Sequence, residues 1–478
     1  MSHARSIAKN AGLLFASEMV NKGISFLLLI LIARRLGELG YGQYAYAFAF
    51  ISLFIVLSSF GLDTFLLKEM ARKKEQTLKL LGNALGLKLC ATLASYGIAS
   101  IIALAIPEAK GILGLIALVM LHELFTAFNS VFSALFKAHE QNDLTVYSIT
   151  VDKLLALGSA VAAFSISPSV GALLIGLIAG KALSFLFHLF LASKKVTEIF
   201  FLFEWKSWKL ILKESVQYWM SRLFQIIYTQ IDKVMLGAMA GFAVTGWYSA
   251  AATLIDGLFF LPVIVMYANF PVMSRLFSER SHEDLKRVYR KSLYVLLVLA
   301  IPLSVGLWML SDRVIFFVYH GQFAESAAVL RLLSLLLAPL FINYLIGFLL
   351  NAIDRQGLFA LSGGMAAIMN VLLNIFLIPL LAAKGAALAT IITQVVNFAF
   401  ISWLAARNGY PTAFHRLAWK PLLSASVMGV VLWYLPVMPI VGMAAIGGLV
   451  YIAMLLMLNG IPQEETDLVL ELLRIKRA

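Results

Sequence analysis

The chain has 478 residues, 61% hydrophobic and 13% charged, with a mean hydropathy of +0.90. Soluble domains carry about 45–50% apolar and about 25% charged residues, so a water-soluble globular protein is excluded. A formal charge of +13 would ordinarily point to nucleic acid or acidic partners, so the placement of the basic residues has to decide what it means.

Apolar runs of about 20 residues, each long enough to cross a ~30 Å hydrocarbon core, recur from Ala11 to Leu458. In chain order they predict an all-α polytopic membrane protein with 14 transmembrane helices at 11–33, 42–66, 84–106, 111–136, 145–166, 170–192, 215–239, 246–270, 291–310, 328–350, 358–381, 384–405, 418–435 and 439–458. The first run is too long for a signal-peptide core and lacks a small-residue cleavage site, so it is expected to stay as a span. No polar stretch exceeds about 25 residues, too few for a folded extramembrane domain. The single cysteine, Cys90, falls inside the third span, which argues against disulfides and cysteine metal sites.

With the N-terminus placed inside, 26 of the 38 Lys and Arg residues fall in the terminal tails and even-numbered loops. Five fall outside (Arg34, Arg35, Lys110, Arg313 and Lys384) and seven within spans. This asymmetry predicts cytoplasmic termini at both ends. The basic charge is therefore a topology and anionic-lipid signal, and no nucleic acid partner is expected. Arg34 and Arg35 are expected to anchor the outer interface.

The sequence repeats itself. Residues 138–144, AHEQNDL, return at 352–358 as AIDRQGL, and Val170-Gly171-Ala172-Leu173 maps at the same offset of 214 onto Lys384-Gly385-Ala386-Ala387. Gly42-Gln43-Tyr44-Ala45 returns as Gly246-Trp247-Tyr248-Ser249, and Leu36-Gly37 as Leu236-Gly237, at offsets of 204 and 200. Their shared order predicts two six-helix lobes related as parallel repeats, an arrangement known among transporters. The expected domains are an N-lobe at 1–192, a linker at 193–214, a C-lobe at 215–405, and spans 13–14 with a cytoplasmic tail at 406–478. The linker's aromatics and lysines suit an amphipathic segment in the cytoplasmic interface, read either as a hinge or as an ordinary basic loop.

Ten ionisable residues sit well inside spans: Glu18, Lys22, Glu123, Asp152, Lys153, Lys181, Arg222, Asp232, Lys233 and Asp256. At about 2.5–3.5 kcal/mol each, facing lipid would cost on the order of 25–35 kcal/mol, more than a protein's whole stability of ~5–15 kcal/mol. They are expected to face water or one another, in a cavity lined chiefly by spans 1, 2, 7 and 8. At offset 200, Asn21-Lys22 aligns with Ser221-Arg222, which puts two cations at matching depth. Glu18 shares a helix face with Lys22, and Gln225 with Arg222. A guanidinium and an ammonium from opposing lobes would suit a buried pyrophosphate; the alternative is that each cation only pairs with a carboxylate. Glu18, Glu123, Asp152, Lys153, Lys181, Gln225 and Lys233 are expected to line the cavity.

Asp232 and Asp256 are the candidates for a coupling proton or sodium ion, because burial raises carboxyl pKa values; a local salt bridge is the alternative for Asp232. Asp63 and Lys88, near cytoplasmic span ends, are expected to snorkel. Gly176-x-x-x-Gly180 reads as a close-packing motif, and Pro262 and Pro302 as kinks. The doublets His122-Glu123, His139-Glu140 and His282-Glu283 never complete H-E-x-x-H, and no P-loop is present. A transporter without catalytic residues, metal or cofactor is expected.

Across Ala33–Ala47, at Ile231-Asp232-Lys233-Val234-Met235-Leu236-Gly237 and at Gly246-x-Tyr248-x-Ala250-Ala251, the chain resembles bacterial polysaccharide repeat-unit flippases. These are the O-antigen branch of the multidrug/oligosaccharidyl-lipid/polysaccharide exporter superfamily, and the resemblance covers spans 1–12. It implies two six-helix lobes in a V, alternating access, and Lys22 and Arg222 in a central cavity. It further implies that an undecaprenyl-pyrophosphate-linked oligosaccharide moves from the cytoplasmic to the outer leaflet of a bacterial inner membrane, beside polysaccharide polymerase machinery. Lipid II flippases and drug/cation antiporters share the fold; of the lipid II flippases' arginine set only Arg222 and Lys22 have counterparts here by position. A drug or metabolite antiporter and a lipid II flippase stay open. So does a membrane-embedded glycan polymerase or ligase, for which the longest outer loop, about 311–327, is small.

Overall fold

The computed structural model describes residues 2–460 except 197 and 437. The side chains of residues 2–16, 18, 142, 195, 216–218, 220 and 221 lie outside that description, and with them the expected role of Glu18. Among the described residues there are sixteen α-helices and no strand: α1 Ser2–Ser59, α2 Leu62–Arg72, α3 Thr77–Ala105, α4 Pro107–Gly111, α5 Leu113–Ala138, α6 Asn142–Ile166, α7 Val170–Lys195, α8 Trp205–Ala240, α9 Phe242–Leu258, α10 Phe260–Ser278, α11 His282–Tyr319, α12 Ser326–Ser334, α13 Leu337–Ala352, α14 Gln356–Arg407, α15 Phe414–Tyr434 and α16 Ile440–Met457. Ten helical segments are long and apolar enough to cross a membrane, or eleven if α12 and α13, bent by 48°, form one.

Two long helices are each broken at one residue, between two predicted spans. The α1 helix covers both predicted spans 1 and 2 and is broken at Gly37, φ 68°, a left-handed conformation that glycine adopts without a Cβ clash. The α14 helix covers predicted spans 11 and 12 and is broken at Ala382, φ 50°. Pro302 lies inside α11 with no such break. Pro262 falls in the first turn of α10, where the missing N–H has no helical partner to lose, and the chain breaks just before it at Phe259.

Contact clustering divides the chain into two compact units, Met1–Thr253 with Gly363–Ala386 and Leu254–Ser362 with Ala387–Ala478. In the first, one core gathers Tyr46, Phe50, Ile51, Ile116 and Leu174, and another gathers Leu62, Leu66, Phe132, Phe136 and Ile211. The α7 helix starts on Ser169, whose hydroxyl accepts from Ala172 N at 3.2 Å as an N-cap. It lies flush on α6 because a Cβ on Gly176 would come within 2.7 Å of Ala163 Cβ, and one on Gly180 within 2.6 Å of Ser159 Oγ. In the second unit α11 packs on α13 and α15, burying Tyr289, Leu293, Leu297 and Phe341. There Asn343 Nδ2 donates to Gln394 Oε1 at 2.6 Å.

Both copies of the 138–144 segment end their helices in the same way, one that α10 and α14 also use at Glu279–Ser281 and Asn408–Tyr410. At the end of α5, His139 N, Glu140 N and Gln141 N donate to the carbonyls of Leu135, Lys137 and Phe136. After α13, Ile353 N, Asp354 N and Arg355 N donate to Leu349, Asn351 and Leu350, each partner displaced by 214. Glu140 and Asp354 have φ of 58° and 57°. At the other turn, Gly37 and Gly241 carry positive φ, 68° and 91°, an offset of 204. The offset of 200 is therefore four residues out of register at this turn. Counted from the breaks, Arg222 is the counterpart of Glu18, and Lys22 lies one helical turn, about 6 Å, nearer its own break.

The linker is an extended strap. The α7 helix runs to Lys195, residues 198–204 carry no helix, and α8 begins at Trp205. Leu202 N donates to Gly82 O at 2.9 Å, Glu204 N to Asn83 Oδ1 at 3.0 Å, and Lys79 Nζ lies 2.9 Å from Glu204 Oε2. Gly82 permits the approach: a Cβ there would lie 2.9 Å from Phe200 O. Lys79 and Ser207 hold the Glu204 carboxyl below its ordinary pKa by hydrogen bonding to its charged form.

Candidate transport site

The two glycine motifs found in the sequence meet each other. A Cβ on Gly42 would overlap the Phe242 carbonyl oxygen and lie 2.9 Å from Gly246 N, and one on Gly246 would overlap the Glu38 carbonyl. Phe242 is Glu38 displaced by 204, and Gly246 is Gly42 displaced by 204, so the contact is reciprocal, like a two-fold interface. Around it Trp247 Nε1 donates to Glu38 Oε2, Tyr41 OH and Thr253 Oγ1 are 2.9 Å apart, and the Tyr46 ring meets Phe242 edge-on at 5.3 Å. Tyr46 also lies over Gly237, which has no side chain to displace it.

The interior charges divide into held and exposed groups. Lys181 Nζ donates to both Asp152 oxygens at 2.8 Å, Ser184 Oγ donates to Asp152 Oδ1 at 2.8 Å, and Asn129 Nδ2 donates to Ser184 Oγ at 3.2 Å. This chain of partners crosses α5, α6 and α7, with half-buried Lys153 beside it on α6. Glu123 Oε1 is 3.0 Å from the Nδ1 of its neighbour His122. Lys22 on α1 and Arg222 and Gln225 on α8 are exposed, and Arg222 Nη1 donates to Gln225 Oε1 at 3.3 Å. Asp256 on α9 is exposed, and Lys233 Nζ reaches Gln230 Oε1 at 3.5 Å.

Asp232 is buried, and its two oxygens accept from Tyr248 and Asn374. Tyr248 OH donates to Oδ2 at 2.5 Å and Asn374 Nδ2 to Oδ1 at 2.6 Å, and Asn374 is also 3.1 Å from Asn370 Oδ1. The sequence named Asp232 but not these partners, because Asn370 and Asn374 lie in α14 about 140 residues away and look like ordinary polar residues of a membrane helix. Lys88 is a correction. It does not snorkel: it is 2% exposed, with Asp63 Oδ1 3.6 Å away and Ser130 Oγ donating to the same carboxylate at 3.1 Å. Burial beside a carboxylate removes the need to reach the interface. Among the described residues no cluster of three His, Cys, Asp or Glu side chains could hold a metal ion.

Known proteins share this helical membrane fold. The chain is similar to the lipid II flippase MurJ in an inward closed conformation (TM-score 0.74, 19% identity, 92% of this chain and 97% of that one). It is also similar to an inward-facing multidrug resistance MATE transporter of the MOP superfamily (TM-score 0.62, 14% identity, 81% and 95% covered). Among curated relatives from Haloferax volcanii, the probable low-salt glycan biosynthesis flippase Agl15 is 23% identical over 89% of each chain. The probable flippase AglR is 28% identical over 45% of this chain, and the match spans 46% of AglR. The class is thus that of polytopic helical membrane proteins with the fold these transporters share. Within it, the chain belongs to the family described as "Polysaccharide biosynthesis protein", whose model matches residues 7–277; the MatE model matches 219–380.

Proposed function

We propose that this protein is a flippase that carries undecaprenyl-pyrophosphate-linked oligosaccharide repeat units from the cytoplasmic to the outer leaflet of a bacterial inner membrane. The reading rests above all on Lys22 and Arg222. Both project exposed side chains from apolar helices of one unit, whereas Asp152 and Lys181 are already bound to each other. An ammonium and a guanidinium can each make charge-assisted hydrogen bonds of about 1.5–3 kcal/mol to a pyrophosphate that has shed its water. The register from Gly37 and Gly241 sets them one turn apart, which suits one cation per phosphate. The proposed architecture is fourteen helices in two six-helix lobes plus α15 and α16, and movement is by alternating access.

In the proposed topology the Gly42–Gly246 contact seals the outer mouth and must part for release. Asp232 is the proposed coupling-ion site, for a proton or sodium, because its carboxylate is buried and burial penalises a charge that either ion would neutralise. Asp256 is a second candidate. Glu18, Glu123, Lys153, Gln225 and Lys233 are proposed to line the path. The prenyl tail stays in lipid or along α15, where an apolar cavity of about 510 Å³ lies between Trp308 of α11 and Gly429 and Trp433 of α15. Polysaccharide polymerase machinery would receive the product.

Deletion should accumulate a lipid-linked glycan and abolish surface polysaccharide. Lys22→Ala and Arg222→Ala should each do the same without lowering the protein's level in the membrane, and full activity in the double alanine variant would rule out the clamp. The MatE match over 219–380 supports a second reading, a cation antiporter. That reading predicts changed drug resistance in the deletion strain with no lipid-linked intermediate.

A further inference from the structure

The strap and the start of α8 form an unusual surface. Along the strap the side chains alternate as in a strand: Leu202 and Glu204 turn toward α3, while Phe201, Phe203 and Trp205 are 45%, 59% and 63% exposed. Beyond Trp205 the period becomes helical. Lys206, Lys209 and Lys213 are exposed at i, i+3 and i+7, with exposed Leu210 among them, and Ile211 and Ser215 are buried on the other side. Lys209 Nζ lies 5.6 Å from the Trp205 ring centre, a cation–π distance.

The acidic neighbours do not cancel this face. Glu204 is bound to Lys79 and Ser207. Glu214 points about 100° around the helix from Lys213, and Glu198 lies before the aromatic ridge. The backbone beneath is fixed to Gly82 and Asn83 of α3, so the aromatic and cationic groups are held in place before any ligand arrives. Exposed aromatics beside a row of lysines, next to membrane helices, match a leaflet whose headgroups are anionic and whose acyl boundary accepts rings.

We propose that residues 201–213 form a docking site for anionic phospholipid headgroups. The phosphates lie against Lys206, Lys209 and Lys213, and Phe201, Phe203 and Trp205 enter the acyl boundary. The α8 helix runs unbroken from this surface to Arg222 and Asp232, so lipid held here also fixes the helix that carries both.

The test is native mass spectrometry of the purified full-length chain titrated with phosphatidylglycerol, using phosphatidylcholine as reference. Each lysine is expected to contribute about five-fold in affinity, so K206Q/K209Q/K213Q should weaken phosphatidylglycerol binding by about 100-fold and leave phosphatidylcholine unchanged. K206R/K209R/K213R should bind as the wild type does. K68Q/K74Q/K137Q, which removes equal charge from exposed positions on other predicted cytoplasmic loops, should have little effect. Wild-type binding by the triple glutamine variant, equal weakening by the control variant, or loss of binding in the arginine variant would each overturn the proposal. Lys22→Ala/Arg222→Ala should bind phosphatidylglycerol normally, which separates failure here from failure of the transport reading.

Discussion

Replacing Gly42 with alanine should part the two turns that meet there. The added Cβ would stand 2.6 Å from the Phe242 carbonyl carbon and 2.9 Å from Gly246 N, against about 3.5–4.0 Å for an unstrained carbon contact. Both neighbours are backbone, so no rotamer change relieves the overlap, and the segments must separate by about 1 Å. Overpacking of this kind costs about 1–3 kcal/mol. The same movement stretches the Tyr41–Thr253 and Trp247–Glu38 hydrogen bonds, at about 0.5–1.5 kcal/mol each. Alanine returns about 1 kcal/mol of helix propensity. The net is about 1–5 kcal/mol against the closed contact, or roughly 5- to 5000-fold in its population. Nitroxides on the exposed positions Leu39 and Met239, introduced as cysteines in a Cys90→Ser chain, would report it by pulsed dipolar spectroscopy. The distance distribution should lengthen in Gly42→Ala and equally in Gly246→Ala. A distribution superimposable on that of the parent would refute the claim that bare backbone contact holds the turns together.

Three further outcomes follow from the geometry. Lys181→Ala should destabilise the protein by about 3–5 kcal/mol by stranding the Asp152 carboxylate, while Lys181→Met/Asp152→Leu recovers most of the loss; thermal unfolding in detergent would show a melting point lower in the single than in the double variant. Asp232→Asn should abolish the dependence of transport on an ion gradient without lowering expression, and Tyr248→Phe should weaken it less, as measured by glycan translocation in vesicles with an imposed proton or sodium gradient. Glu204, whose pKa is lowered in the fold, stabilises strap docking above its ordinary titration range and loses that contribution as pH falls through the folded value. Hydrogen exchange at Leu202 should therefore be faster in Glu204→Gln than in wild type near neutrality, and the difference should vanish in acid.

The helical membrane fold was legible because its cause is short-range. Runs such as Ile24–Ala33 are apolar by composition, and the glycines at 42 and 246 are spaced for a tight approach that nothing larger allows. The Asp152–Lys181 pair was half legible: both charges stood out against their spans, but only the packing of α6 on α7 brings them within 2.8 Å. The breaks at Gly37 and Ala382 fall between predicted spans; that each is a single residue could not be read, because a one-residue reversal leaves the hydropathy profile looking like a loop. The donors around Asp232 and the burial of Lys88 could not be read from pattern, since they depend on contacts between distant residues. The strap looked like a free amphipathic linker because the glycines that receive it, Gly82 and Gly86, sit in α3, more than a hundred residues earlier.

The twin reversals at Glu140 and Asp354 have a consequence for biogenesis. The same three hydrogen bonds also close α10 at Glu279–Ser281 and α14 at Asn408–Tyr410, so the bend is a property of the local helix end and not of its surroundings. The ends of α5 and α13 can then form as they leave the ribosome, each entering the translocon with its bend already made. Insertion of either helix would not have to wait for the rest of the polypeptide.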